Sequence, residues 1–411
     1  MVNLPLSLPS PSAEAISHSK RLQDHIQQQI IEAGGSMPFQ DYMAAALYSA
    51  GLGYYVAGAH KIGQAGDFVT APEISPLFSQ CVAYQCEQIL QTLAQQGSPA
   101  DILELGAGLG TMAADILLQL ERLACLPHRY FILDLSPELK QRQYQTLQAK
   151  APHLLVRVSW LSHLPEDFRG IILGNEVLDA MPVRLFHWQN SQLSEWHVGL
   201  ADKTSSDNKG LDSPFVLQKK PPSNQLQQTI LPMAETLQWA TRFPANLPYT
   251  SEVNTQLAAW FKGIAESLQQ GVLLLVDYGY TRQEYYLPER NNGTLLCHYR
   301  HHVHDDPLLY CGLQDITSSV DFTSVAESAS EVGLTLAGFT TQAAFLSQAN
   351  LEGFFVDALN AHPEQQYALA KQVRTLSLPA QMGERFKVMA ISKALNLNLR
   401  GFQNFDQRHR L

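Results

Sequence analysis

Apolar positions recur every fourth residue at Leu22, Ile26 and Ile30 and end before Gly34 and Gly35, so the spacing predicts an amphipathic helix from Ser12 to Glu32. A second helix is expected from Pro38, with Phe39, Met43 and Leu47 on one face, and a third whose buried stripe is Phe78, Val82, Ile89 and Leu93. Between the second and third runs a Gly-rich stretch, 51–76, with little periodicity. It is long for a connection in a compact domain, and such loops are often functional.

From Asp101 the pattern changes. The apolar runs ILEL (102–105), YFILDL (130–135), LLVRV (154–158) and GIIL (170–173) alternate with amphipathic segments at 111–120 and 138–149. Strand, helix, strand at this spacing predicts a parallel sheet with crossover helices. A later run, GVLLLVDYG (271–279), follows a helical pattern at Leu257, Phe261, Ile264 and Leu268 and reads as another central strand of that sheet. Between them, RLFHWQNSQLSEWHVGL (184–200) has two β-rich arms around Gln189, Asn190 and Ser191, followed by polar, turn-rich sequence. The expected organisation is a helical N-terminal extension with an active-site loop (1–98), a first part of the core (99–180), an insertion with a hairpin and a mobile loop (181–250), a second part of the core (251–395) and a tail (396–411). In the second part, a helix is expected over 323–332 and strands at LTLAGFTT (334–341) and RFKVMAIS (385–392).

Composition narrows the function classes. The chain has 411 residues, 28 Lys and Arg against 38 Asp and Glu, and a net charge of -10, which argues against phosphate-backbone binding as its main business. No apolar run approaches the ~18 residues of a bilayer span. Five scattered cysteines, odd in number and without C-x-x-C spacing, read as reduced thiols. The N-terminus lacks the basic patch and unbroken apolar core of a secretory signal, so a cytoplasmic location is the expectation.

The strongest chemical signal is Glu104-Leu105-Gly106-Ala107-Gly108-Leu109-Gly110, set between a strand and the helix that starts at Thr111. Glycines here allow a tight turn and let a ligand approach backbone N–H groups at a helix N-terminus. A dinucleotide fingerprint needs its third glycine one residue later, where Thr111 stands. Asp134 ends the second strand, 24 residues beyond Gly110, where an acid can accept hydrogen bonds from both hydroxyls of a ribose. Together these point to an adenosine-type ligand.

This glycine motif resembles the first motif of class I S-adenosylmethionine-dependent methyltransferases. With GDFVTAPEISPLF before it, GNEVLDAMPV and VDYGY after the fourth and fifth strands, and the GTL, DIT and VDF segments beyond, the chain resembles the MidA family over about residues 15–395. Mitochondrial members of that family are protein-arginine methyltransferases acting in respiratory complex I assembly. The resemblance implies an α/β fold of the class I methyltransferase type, Rossmann-like, with a mostly parallel sheet, a helical N-terminal extension and a β-hairpin insertion. It also implies S-adenosyl-L-methionine as cofactor, with Gly106, Ala107, Gly108 and Gly110 beside its methionine part, Glu104 toward its ammonium and Asp134 on the ribose. Many relatives have Glu where Asp134 stands, and Asp, one methylene shorter, still reaches. The expected partner is a protein with an accessible arginine, such as a complex I type subunit, and neither nucleic acid nor a membrane span is expected. A small-molecule methyltransferase and a non-catalytic assembly factor that holds a partner subunit are the alternatives.

For the catalytic step, Asn175, Glu176 and Asp179 emerge at the carboxyl edge of the sheet, where open α/β folds bind ligands. A guanidinium is a fork of N–H donors best held by carboxylates, which suits Glu176 and Asp179, with Asn175 as an orienting amide. Asn and Asp also cap turns, which is the bland reading of Asn175 and Asp179. Asp67, Phe68 and Glu73 in the long loop, and Tyr278 at the carboxyl end of the fifth strand, are the candidate substrate contacts; Asp277 beside it also faces the site edge, unless the pair is only a strand terminus turned by Gly279. Alternatively, Thr70 to Ser75 only starts the next helix. His298, His301, His302 and His304 lack a completing cluster of defined spacing, so no metal is expected.

Overall fold

The computed structural model describes residues 8–57, 69–97, 99–201, 213–244 and 247–411. The chain divides into two compact units, each assembled from three stretches: 1–68, 180–256 and 283–319 form one, and 69–179, 257–282 and 320–411 the other. Among the described residues no helix is long and apolar enough to cross a membrane.

The second unit holds the sheet that the alternating pattern predicts. We label its strands β1 (Asp101–Leu105), β2 (Tyr130–Leu133), β3 (Val158–Leu161), β4 (Phe168–Asn175), β5 (Leu268–Tyr280), β6 (Thr335–Thr341) and β7 (Phe386–Lys393). Their spatial order is β6-β7-β5-β4-β1-β2-β3. All neighbouring pairs from β5 to β3 are parallel, whereas β7 runs antiparallel to both β5 and β6. Helix α1 (Thr111–Arg122) joins β1 to β2, and α2 (Pro137–Lys150) leads toward β3. The central strands are apolar on both faces, as Val272 to Val276 illustrate, because helices cover both sides of a parallel sheet. The predicted helical stripe of Phe78, Val82, Ile89 and Leu93 lies in the same core.

Three local expectations fail here. The run LLVRV is not a strand: Pro152 opens a 3-10 turn over Pro152–Arg157, and pairing begins only at Val158, opposite Tyr130. Leu268, predicted as helical, is the first residue of β5, and its helix ends at Ser267. Three helices, Gln342–Gln348, Leu351–Ala361 and Gln366–Ser377, fill the interval before β7, where no element was predicted. The first is only seven residues long, and in the two longer ones buried positions are sparse, Leu351 and Phe354 in one and Leu369 and Leu376 in the other, so the sequence carries a weak apolar stripe.

In the first unit, the predicted helices appear as Ala13–Glu32, capped by the Ser12 hydroxyl, and Phe39–Tyr48. Leu22, Ile26 and Ile30 pack in one core with Phe39, Met43 and Leu47. The hairpin pairs Arg184–Gln189 with Gln192–Leu200 through Asn190 and Ser191, both at positive φ (52° and 58°), the geometry of a tight two-residue hairpin turn. Strands Ser36–Pro38, Tyr249–Val253 and Phe215–Lys220 complete an antiparallel sheet; of the polar sequence expected as a mobile loop, 202–212 lies outside the described residues, and the part after Lys220 leads into a helix, Asn224–Thr236. The histidine-rich segment folds into a three-stranded sheet of Leu296–Tyr299, His302–His304 and Asp315–Thr317. His304 is buried there and accepts the Asp306 N–H at 3.3 Å through Nδ1.

Candidate functional site

The glycine loop leaves β1 through three left-handed residues, Gly106, Gly108 and Gly110, at φ 63°, 51° and 80°. The Gly106 N–H donates to Leu133 O at 3.0 Å, and the Gly110 N–H to Ala107 O at 2.8 Å, closing the turn. Gly110 is the N-cap of α1, and no side chain among the described residues caps the helix, which leaves its first-turn N–H groups directed at the loop. Gly110 also has no room for a side chain: a Cβ would stand 2.9 Å from Gln143 Cα. At Gly106 the nearest atom to a Cβ would be Val177 Cγ2 at 3.5 Å, which sets the turn after β4 directly beside the loop.

Two acids flank the loop. Glu104 is 2% exposed and accepts the Tyr130 hydroxyl at 2.6 Å. Burial pushes its carboxyl up to about 7, against the Tyr130 hydrogen bond, while the charge of Asp134 pushes it further up. Asp134, just past β2, accepts the Ser136 N–H at 3.0 Å on one oxygen and Gln143 Nε2 at 2.8 Å on the other. Burial raises it, and these two hydrogen bonds oppose the rise. Open helix N–H groups, a carboxyl near the loop and a carboxylate with one protein donor on each oxygen form a donor and acceptor set that fits a ligand carrying a carboxylate, an ammonium and a vicinal diol.

The turn after β4 is held from behind. Glu176 takes a left-handed conformation, φ 51°, and its N–H donates to Val276 O at 2.8 Å. The next three N–H groups, of Val177, Leu178 and Asp179, converge on Asp277 Oδ2 at 3.2, 2.9 and 3.3 Å. Asp277 is 1% exposed, and its other oxygen accepts the Tyr278 N–H at 2.9 Å. Burial and the charges of Asp179 and Glu176 raise the Asp277 carboxyl well above the usual range, and the Leu178 and Asp179 N–H groups pull the other way. Asn175 Nδ2 donates to Glu176 Oε1 at 3.2 Å, and Asn175 Oδ1 is a buried acceptor with no hydrogen bond among the described residues. Three carboxyl groups thus gather behind and on one turn. Such a cluster favours a cation with several N–H donors.

Of the residues singled out in the sequence, Glu104, Gly106, Ala107, Gly108, Gly110 and Asp134 lie on one loop and the adjoining strand ends, and Asn175, Glu176 and Asp179 share the neighbouring turn. Tyr278 follows the Asp277 anchor and packs edge-on against Phe386, with ring centroids 5.5 Å apart. Glu73 sits in a short helix, Ala71–Ile74, where its N–H bonds Thr70 O at 3.0 Å. Its carboxylate makes no hydrogen bond to the other site residues among the described residues. Asp67 and Phe68 lie outside the described residues. Of the two residues that hold this region together, Asp277 is expected from the sequence only at the site edge, not as the anchor of the turn, and Gln143 is not expected in the site at all. Gln143 carried a readable signal, a polar residue in the i, i+4 row of Leu139 and Leu147 on an otherwise polar helix.

Comparison with known proteins agrees with this geometry. Residues 81–340 match a family model described as an S-adenosyl-L-methionine-dependent methyltransferase. A crystal structure of a Burkholderia thailandensis protein bound to S-adenosyl-homocysteine superposes with a TM-score of 0.88 at 38% identity, covering 98% of this chain and 100% of that one. The protein arginine methyltransferase NDUFAF7 homolog of Drosophila melanogaster is 28% identical over 94% of this chain and 88% of its own length. NDUFAF7 of Danio rerio is 27% identical over 94% and 90%. Both are named as mitochondrial, as is the human NDUFAF7, so the expected cytoplasmic location does not stand. That expectation rested on reduced thiols and a poor secretory signal, which do not distinguish the cytosol from other reducing compartments. The methyl donor, the Rossmann-like sheet and the long likeness agree, and the chain belongs to this family of S-adenosyl-L-methionine-dependent methyltransferases.

Proposed function

We propose that the chain transfers the methyl group of S-adenosyl-L-methionine to an arginine side chain of a protein substrate. The observation that carries the reading is the acidic turn standing against the glycine loop, with Val177 beside Gly106. The cofactor, when bound, supplies an electrophilic methyl group on a sulfonium. Gly106, Ala107, Gly108 and Gly110 would receive its amino-acid part, with Glu104 toward the ammonium, and Asp134 would accept from the ribose hydroxyls. Glu176 and Asp179 would accept hydrogen bonds from the guanidinium fork and hold one nitrogen in line, and Asn175 would orient Glu176 through the hydrogen bond they share. A carboxylate there is also placed to take the proton that the nitrogen loses as it is methylated. Glu73, Tyr278, Asp67 and Phe68 would contact the rest of the substrate. The names of the curated relatives support the arginine assignment, and the family resemblance suggests a respiratory complex I type subunit as the substrate class.

The test is incubation of the purified chain with methyl-labelled cofactor and lysate of cells that lack it. Label in protein, located on arginine by mass spectrometry, is the expected result. Label confined to the small-molecule fraction would reject it.

A further inference from the structure

Resting on the cofactor reading above, we infer that Gln143 is a positioning residue for the cofactor pocket, joining the glycine loop and Asp134 into one unit. Gln143 lies on α2 and is fully buried. Its amide Nε2 donates to Asp134 Oδ2 at 2.8 Å and to Gly108 O at 3.1 Å, and its Oε1 accepts the indole N–H of Trp160, on β3, at 2.9 Å. Both protons of the amide and its oxygen are therefore engaged, and the Trp160 donor fixes which end of the amide is oxygen.

The consequence is geometric. The two amide protons span a loop peptide and a carboxylate that come from different strand ends, so neither can turn without breaking a bond to the other. With Ser136 N–H on the opposite oxygen, Asp134 is held at both oxygens, and the acceptor capacity left on the pair makes a fixed two-pronged fork. A vicinal diol needs such a fork. Gly110 packs directly on the Gln143 backbone, so the loop is seated on α2 as well as tethered to it.

A residue that only filled space would be replaceable by one of similar shape, and Gln143→Met supplies that control. We expect it to weaken S-adenosyl-homocysteine binding about 10- to 100-fold in calorimetry, as loss of a hydrogen bond to a charged group does, and to raise KM for the methyl donor more than it lowers kcat. Gln143→Glu places a second carboxyl against Asp134. One shared proton can replace the amide N–H, so its affinity relative to wild type should be about tenfold better at pH 6 than at pH 8. Should either variant fail to fold by circular dichroism, Trp160→Phe, which frees the amide to rotate, is expected to weaken binding about threefold or more. Binding within twofold of wild type for Gln143→Met, or for Trp160→Phe where it replaces that variant, would overturn the inference, as would a pH-independent ratio for Gln143→Glu. Absence of binding by the wild-type protein would instead reject the cofactor reading itself.

Discussion

Asp277 accepts the backbone N–H of Leu178 at 2.9 Å across 99 positions of sequence. Two more N–H groups of the same turn share that oxygen. Asp277→Ala would leave these donors buried and unmatched, and an unsatisfied donor costs about 1–3 kcal/mol, so a loss of at least about 3 kcal/mol in urea unfolding is expected. Asp277→Asn keeps one acceptor oxygen and should lose less stability. In both, methyl transfer should fall about tenfold or more while S-adenosyl-homocysteine binding changes less than about threefold, because the anchor serves the acidic turn rather than the glycine loop.

Glu176 combines a charged side chain with a left-handed backbone. Glu176→Gln should retain cofactor binding and lose methyl transfer in a radiolabel assay. Glu176→Gly should lose transfer equally and yet raise the unfolding free energy by about 1 kcal/mol, since glycine adopts this conformation without strain. Normal turnover in either variant would remove Glu176 from the reaction.

Glu104 makes the pocket sensitive to pH. Its folded-state value of about 7 lies above the ordinary 4.5, so the folded protein retains a proton that the unfolded chain gives up between those limits. Stability of the ligand-free protein should accordingly fall as pH rises from about 4.5 to 7, by roughly 3 kcal/mol for this group alone. A cofactor ammonium favours the ionised form. Calorimetry at pH 6 in two buffers of different ionisation heat should therefore show proton release on binding, and affinity should climb toward pH 8. In Tyr130→Phe the hydrogen bond that lowers Glu104 is gone, and the climb should move to higher pH.

The glycines of the loop should separate by assay. Gly110→Ala meets both a left-handed φ and the Gln143 backbone, which predicts about 2–4 kcal/mol of destabilisation in thermal or urea melts. At Gly106 a Cβ would make only an ordinary van der Waals contact with Val177, so alanine should cost about 1–2 kcal/mol, all of it backbone strain. Its larger effect should be on cofactor binding, where the methyl group stands in the ligand's approach.

The strand-glycine-helix unit was legible because its signals are local: the apolar run before Gly106, the helix pattern after Thr111 and the acid ending the next strand lie within about 35 residues. The Asn175 to Asp179 turn was legible as a polar patch at a strand end, although its support was not. Asp277 lies a hundred positions away on β5 and resembles any strand-terminal acid until the parallel pairing of β4 and β5 brings Val276 opposite Asn175. Of the helices before β7, Gln342–Gln348 escaped because it is only seven residues long, and the two longer ones because few of their positions are buried, which leaves little apolar rhythm to read. Pro152 misled in the opposite way, through an apolar run that tertiary context bends into a turn.

Strand β7 lies between β5 and β6, although nearly the whole of the unit precedes it in the chain. A growing polypeptide must therefore wait for residues 386–393 to emerge before the apolar edge of β5 gains its antiparallel neighbour. Until then the nascent chain offers Val272 to Val276 as an unprotected template for foreign strands. Holdase chaperones, and shortened forms that stop before Phe386, are where this burden should become visible.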